Sequence, residues 1–252
     1  MIDKIPDVVW LNVSPALARF HHPVMKQLSH QSLVAFWEYV HNQDEANSLE
    51  DALEVLHRYL SSWDEPVHLV GHSTSGTLGL LYAQKFPEKV RSLTLLSVGI
   101  HPLIDWQAHY YNNRRRFHCA RELLLAQMGK LLFGDWSRLV GQRVIELLDA
   151  DLNTSLSPHT LYHVVSMAPV SVSVPLLVCG GQIDGVLSPH EMEGWRSLFS
   201  TSVACMTSRL WLCANEGHFF HYFRPELTAC HMQSFWQSIQ SAYCRSAIAI
   251  GS

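Results

Sequence analysis

The sequence predicts an α/β fold: a mainly parallel six-stranded sheet flanked by helices, interrupted by one helical insertion. Three observations lead there. Short apolar runs of strand length alternate with stretches whose apolar residues recur at helical spacing, the pattern of β-α-β units. The hexapeptide Gly71-His72-Ser73-Thr74-Ser75-Gly76 joins one such run to one such helix through a turn of small residues. Between about Ile100 and Ala168 the strand-like runs stop and helical spacing takes over.

Taken in order, Val8-Val9-Trp10-Leu11 is the first strand, His22 to Ser29 a short helix, and Leu33 to Glu38 the second strand. Leu49, Leu53, Leu56 and Leu60 then recur at helical spacing, with Ser48 placed to cap that helix. Val67-His68-Leu69-Val70 is the third strand, Thr77 to Phe86 a helix, and Pro87-Glu88-Lys89-Val90 the approach to a fourth strand, Leu93 to Val98. Inside the insertion, Arg121 to Met128 and Trp136 to Leu148 carry helical spacing. Asn153 to Pro158 is a turn with a helix start behind it. Pro175 to Gly181 and Arg209 to Asn215 are the last two strands, and a final helix runs to about Tyr243. Residues 1–99 and 169–245 therefore form a core, 100–168 the insertion and 246–252 a loose tail.

The chain has 252 residues, of which 48% are apolar and 16% charged, enough for one large core and too apolar for disorder. A net charge of −4 gives no basis for nucleic-acid binding. Cysteines 119, 179, 205, 213, 230 and 244 form no C-x-x-C pair and read as free thiols of a reducing compartment. No apolar run reaches membrane-spanning length, and Met1-Ile2-Asp3-Lys4 opens no signal peptide. The expected location is cytoplasmic. Sixteen histidines raise the question of a metal, but no H-E-x-x-H occurs and the closest groups, His21-His22 and His218 with His221, lack acidic partners at ligand spacing. Surface or capping roles account for them better. Arg114-Arg115-Arg116 reads as a solvated helix face rather than an anion site.

A serine at a sharp strand-to-helix turn is held in a strained conformation with its hydroxyl above the sheet edge. Gly71 and Gly76 fit the close approach of strand and helix backbones that such a turn requires. Asp184 and His218 each lie just past the end of a later strand. If the strands are parallel neighbours, all three reach the sheet edge where open α/β sheets bind ligands. Asp105, Asp149 and Asp151 are the competing carboxylates. Asp184 is preferred because Gly185 frees its turn and the strand before it is clear. His221 is the competing base.

On these residues the chain resembles the α/β-hydrolase-fold serine hydrolases, from about Asp7 to the helix near Tyr243. Gly71 to Gly76 resembles their nucleophile elbow, Leu176 to Asp184 their acid strand and turn, and Gly217-His218 their histidine loop. The resemblance implies Ser73 as nucleophile, His218 as base and Asp184 as the residue orienting it. It implies an oxyanion hole from the N–H groups of Thr74 and Ser14. Two positions depart from the family pattern: Asn12-Val13 stands where His-Gly is usual, and Ser75 where glycine is usual. The family's first two, antiparallel strands have no room before Val8, which leaves an open first edge that could pair two copies of the chain.

In this family an insertion at that place forms a lid over the nucleophile. Trp106, Tyr110, Tyr111, Phe117, Phe133 and Trp136 would give it apolar surface, as lid core or facing substrate. Trp106 and Tyr110, with His72 and Asn12, are the candidate substrate-binding residues. The resemblance thus implies a hydrolase that needs no cofactor or metal and cleaves a small or medium, largely apolar acyl ester or thioester. The same triad serves lyases and perhydrolases. The rival reading, from the altered loop and Ser75, is a non-catalytic ligand- or partner-binding protein.

Overall fold

The computed structural model describes residues 4–40, 47–134, 138–199 and 207–250. Its centre is a six-stranded sheet, all parallel, in the order β2-β1-β3-β4-β5-β6. The strands are β1 (Val8–Asn12), β2 (Val34–Glu38), β3 (Val67–His72), β4 (Val90–Leu96), β5 (Leu176–Gly181) and β6 (Arg209–Cys213). β1, β3 and β5 are buried along their whole length. That is why they read as unbroken apolar runs: a parallel sheet with helices on both faces has no polar side. The edge strand β2 is half exposed, with Phe36 and the flanking Leu33 and Val40 open to solvent.

Helices α2 (Leu49–Leu60) and α3 (Thr74–Lys85) cover one face, packing Leu53, Leu56 and Leu78 with Leu11, Leu69 and Leu93. Ser48 caps α2, its hydroxyl accepting from the Asp51 N–H at 3.1 Å. On the other face α1 (His22–Leu28) and α10 (Pro225–Ile250) pack Val24, Phe235 and Trp236 against Trp10, Val70 and Cys179. α10 continues over most of the stretch expected as a tail. Cys179 and Cys213 are buried free thiols in their strands, and burial pushes both thiols up from their ordinary range. The side chains of Cys205 and Cys244 lie outside the described residues.

Between β4 and β5 the chain forms α4 (Trp106–Arg116), α5 (Arg121–Phe133) and α6 (Arg138–Thr154). Trp136, expected in the last of these, lies outside the described residues. Residues 155–174 hold no helix or strand, so the helix expected behind Pro158 is absent there. α4 escaped the periodicity argument because polar residues and Arg114-Arg115-Arg116 fill most of it. Its start is marked instead by Asp105, whose carboxylate accepts the Ala108 N–H at 2.8 Å. The three arginines are exposed at its last turn, where the helix dipole favours cations. The insertion packs on the core rather than standing off it: Phe133 stacks on Phe219 at 4.4 Å, and the Leu156 N–H donates to the Val13 carbonyl at 3.0 Å. Three short helices, α7 (Pro189–Glu193), α8 (Trp195–Phe199) and α9 (Phe220–Phe223), complete the core.

Candidate active site

Strain and titratable groups gather at the carboxyl ends of the strands. Among the described residues, three non-glycines have positive φ: Ser73 (50°) after β3, Ser97 (49°) after β4 and Asn215 (60°) after β6. Non-glycine residues avoid this region unless their surroundings force it, and such strain concentrates at functional sites. Ser73 sits between β3 and α3 with ψ −126°, half-buried. The glycines around it are sterically required. A Cβ on Gly71 would lie 2.6 Å from the Gly76 N, and one on Gly76 would lie 2.8 Å from the Gly71 O.

His218 follows β6 and is 1% exposed, as is Asp184 after β5. His218 Nδ1 lies 2.9 Å from Asp184 Oδ2, and Asp184 Oδ1 accepts the N–H groups of Val186 (2.8 Å) and Leu187 (3.1 Å). Burial alone would raise the Asp184 pKa. The facing His218, its hydrogen bond and the two amides overcome this and hold the carboxyl below its usual range. His218 Nε2 is buried with no hydrogen-bond partner. Asp105, the competing acid, instead accepts from the Thr74 hydroxyl at 2.7 Å and caps α4. Asp149 pairs with Arg121 at the surface, at 2.6 Å.

The residues expected to form an oxyanion hole, Thr74 and Ser14, lie in one corner, where the loop after β1 meets the start of α3. Thr74 is the first residue of α3, directly after Ser73. The Val13 N–H donates to Ser75 Oγ at 3.0 Å, so the serine standing at a usual glycine position ties the β1 loop to the elbow helix. The Ser14 N–H faces Asn12 Oδ1 at 3.4 Å, and Asn12 Nδ2 donates to Glu38 Oε1 at 2.7 Å. Asn12 is therefore fully buried with its amide engaged, and it braces the loop rather than opening toward a substrate. Trp106 and Tyr110 are also buried, at 4% and 2% exposure, inside the insertion. Phe117, grouped with them in sequence, is exposed.

Near His218 the structure gathers three histidines, of which sequence reasoning assigned His21 and His221 surface or capping roles and His72 a place in substrate binding. His21, His72 and His221 come from three separate elements and are all buried. Their ring nitrogens lie within 4.8 Å of one another, and His21 Nδ1 contacts His221 Nε2 at 3.0 Å. These are the described residues best placed to hold a metal. No carboxylate joins the group, and His72 Nε2 already donates to the His218 carbonyl at 3.1 Å. Ser97 Oγ donates to the same carbonyl at 2.8 Å. His72, expected from the sequence at the substrate, and Ser97, which sequence left without a role, thus both hold the backbone of His218 in place. Serine after an apolar strand is a faint signal, and the histidine cluster has none, since its members are far apart in the chain.

Burial keeps this cluster neutral. It lowers His21 to about 3, and it depresses His72 and His221 well below the ordinary histidine value, helped by their neighbouring histidines. Unfolding frees these rings to take protons below pH ~6.5, so the unfolded chain binds more protons there and stability falls as pH falls. Asp184 adds a further loss when the pH drops below the usual carboxylate range of about 4. Thermal melts from about pH 7 down to about pH 4 are expected to show a steady fall in Tm, shallower in a His221→Phe variant.

Comparison with known proteins places this geometry. A family model described as the alpha/beta hydrolase fold matches residues 48–118, the stretch from α2 through the elbow to α4. An uncharacterized protein of Synechocystis sp. is 43% identical over 243 residues, covering 96% of this chain and 95% of that one. A membrane phospholipase A described as a bacterial virulence factor has TM-score 0.69 at 17% identity, over 94% of this chain and 80% of its own. A thermophilic esterase has TM-score 0.66 at 16% identity, over 94% and 91%.

The chain belongs to the α/β-hydrolase fold family. Within that fold its sheet is six-stranded and parallel, and the insertion after β4 is helical. No helix among the described residues is long and apolar enough to cross a membrane.

Proposed function

We propose that this α/β-hydrolase-fold protein is a serine hydrolase that cleaves a small or medium, largely apolar acyl ester or thioester through an acyl-enzyme. One observation carries the reading. A serine strained at φ 50° shares a sheet edge with a buried histidine–carboxylate pair whose outer ring nitrogen has no partner. In this reading Ser73 Oγ attacks the acyl carbonyl. His218 Nε2 takes its proton and returns it to the leaving group, then repeats the cycle with water. Asp184 keeps the other ring nitrogen protonated and steadies the imidazolium. The N–H groups of Thr74 and Ser14 receive the oxyanion. His72 and Asn12 position the histidine loop and the oxyanion loop. The insertion acts as a lid whose buried Trp106 and Tyr110 keep water out.

The preference for apolar acyl groups draws on the apolar surface of the insertion, which holds a groove of about 410 Å³ lined by Leu103, Ile104, Val165 and Met167 with His101 and Asn112, and without Ser73 or His218 in its wall. It runs beside His109, whose Nε2 donates to the carbonyl of Val186 in the acid loop at 2.9 Å. A larger cavity of about 770 Å³ lies around His68 and Trp236 at the opposite end of the strands, away from Ser73. It has no place in the reaction.

A fluorophosphonate probe tests the reading. Wild type is expected to be labelled at one serine, and Ser73→Ala to lose all labelling while melting like wild type. Labelling that persists in Ser73→Ala, or wild type that resists the probe throughout, would overturn it.

A further inference from the structure

The insertion carries a buried acidic group that the triad does not use. Asp151 on α6 is fully buried, and Asp105 at the start of α4 is 2% exposed. Asp105 Oδ2 accepts from the Thr74 hydroxyl at 2.7 Å. Asp151 Oδ2 accepts from Gln107 Nε2 at 3.2 Å, and the Ser14 hydroxyl and Trp106 indole lie beside its carboxyl. Thr74 and Ser14 are the two residues whose backbone N–H groups would receive the oxyanion. Each therefore has its side chain against a different buried carboxyl, and both carboxyls come from the insertion.

We propose that Asp105 and Asp151 are positioning residues for the oxyanion hole, holding Thr74 and Ser14 while sharing a single negative charge. This rests on the hydrolase reading above. The single charge follows from the surroundings. Among the described residues the imidazole facing the pair is His159, buried in the 155–174 segment, with Nε2 3.5 Å from Asp105 Oδ1, while the Tyr111 phenol of α4 also acts on Asp105 and the Trp106 indole on Asp151. The His159 Nδ1 accepts the Val165 N–H at 3.2 Å, which leaves the ring proton to Nε2, close to Asp105 but without a hydrogen-bond partner among the described residues. Cations on the neighbouring elements turn away: Arg121 of α5 bonds Asp149 at the surface, and Arg19, in the turn after Ser14, is exposed. Two buried carboxylates facing one imidazole cannot both stay ionised without a large cost, so one keeps its proton. That one is Asp151, whose Oδ1 has no hydrogen-bond partner. Desolvation above all, with the nearby Asp105 charge, raises its carboxyl to about 7.

The sign of the effect follows. Below about pH 7 Asp151 is neutral, and one buried charge, screened by Thr74, Ala108 and His159, sits behind the oxyanion hole. Above it a second negative charge appears beside Ser14 and opposes the oxyanion. The folded chain also binds the Asp151 proton more tightly than the unfolded chain does. This contribution to stability is therefore lost as pH rises from the usual carboxylate value of about 4 through about 7.

The test follows fluorophosphonate labelling rate and thermal melts of wild type and Asp151→Asn from about pH 6 to about pH 9, with Thr74→Val and Thr74→Ser alongside. The wild-type rate is expected to pass through a maximum and fall on the alkaline side by about tenfold, less than the loss of a whole oxyanion donor. Asp151→Asn, neutral at every pH, is expected to lose that alkaline fall and to gain Tm over wild type as pH rises. Thr74→Val is expected to label about tenfold more slowly and Thr74→Ser to recover the rate, since only the hydroxyl reaches Asp105. Ser73-dependent labelling with the same alkaline limb in wild type and Asp151→Asn would overturn the positioning role and leave the hydrolase reading intact. Absence of labelling at every pH would overturn both.

Discussion

An Asp184→Asn variant is expected to fold normally and to turn over p-nitrophenyl butyrate about 10⁴-fold more slowly than wild type. The geometry gives the reason. Asp184 Oδ1 already accepts two backbone N–H groups, from Val186 and Leu187, so an asparagine keeps its oxygen there. Its NH2 then faces His218 Nδ1, where the carboxylate Oδ2 stood at 2.9 Å. A donor at that place makes Nδ1 an acceptor and drives the ring proton onto Nε2, the nitrogen that must be bare to accept the serine proton. The turn survives because its amides remain bonded, and the chemistry fails because the tautomer is wrong. Comparing kcat and circular dichroism of the two proteins checks this. A loss of less than about tenfold with the fold intact would remove Asp184 from the orienting role.

The second large effect is on stability. Gly181→Ala is expected to cost about 3 kcal/mol or more, read as a lowered urea midpoint at unchanged slope. A Cβ at Gly181 would lie 2.2 Å from the Gly217 carbonyl oxygen and 2.3 Å from that of Glu216. Both are backbone atoms that cannot swing aside. The Glu216 carbonyl is also bonded to the acid turn, accepting the Ile183 N–H at 3.0 Å, and the Gly217 carbonyl accepts the Phe220 N–H at 3.1 Å. The strain therefore falls on the segment that carries His218, and activity is expected to drop further than the loss of folded protein explains. Gly141→Ala serves as the control. A Cβ there meets nothing within 4 Å, inside α6, so the change is expected to stabilise by about 0.5–1 kcal/mol. A Gly181→Ala protein as stable as wild type would mean that the two loops can separate.

The fold was legible because its inner strands are buried on both faces and its helices on one, which writes two distinct periods into the chain. Ser73, Asp184 and His218 could be singled out because each follows an apolar run that ends in a turn with glycine nearby. Ser97 and His159 could not, and His21, Asp105 and Asp151, though noticed, could not be given their actual surroundings. Their partners lie on other elements, as the His218 carbonyl does for Ser97, and no local pattern records such a meeting. The start and extent of α4 went unread for a different reason, although Arg114-Arg115-Arg116 reads as a helix face. Its buried residues, Trp106, Gln107, Ala108 and Tyr110, mix polar with apolar, so burial there leaves no hydrophobic stripe.

The bond between the Val13 N–H and Ser75 Oγ links the two positions at which this chain departs from the usual family pattern. Restoring glycine at 75 alone would strand the Val13 amide. Glycine at 13 alone would keep the bond, because its donor is the backbone N–H that glycine also carries. Exchange at the two positions is therefore ordered: a lineage is expected to give up the serine only after glycine at 13 has freed the loop to find that amide another partner.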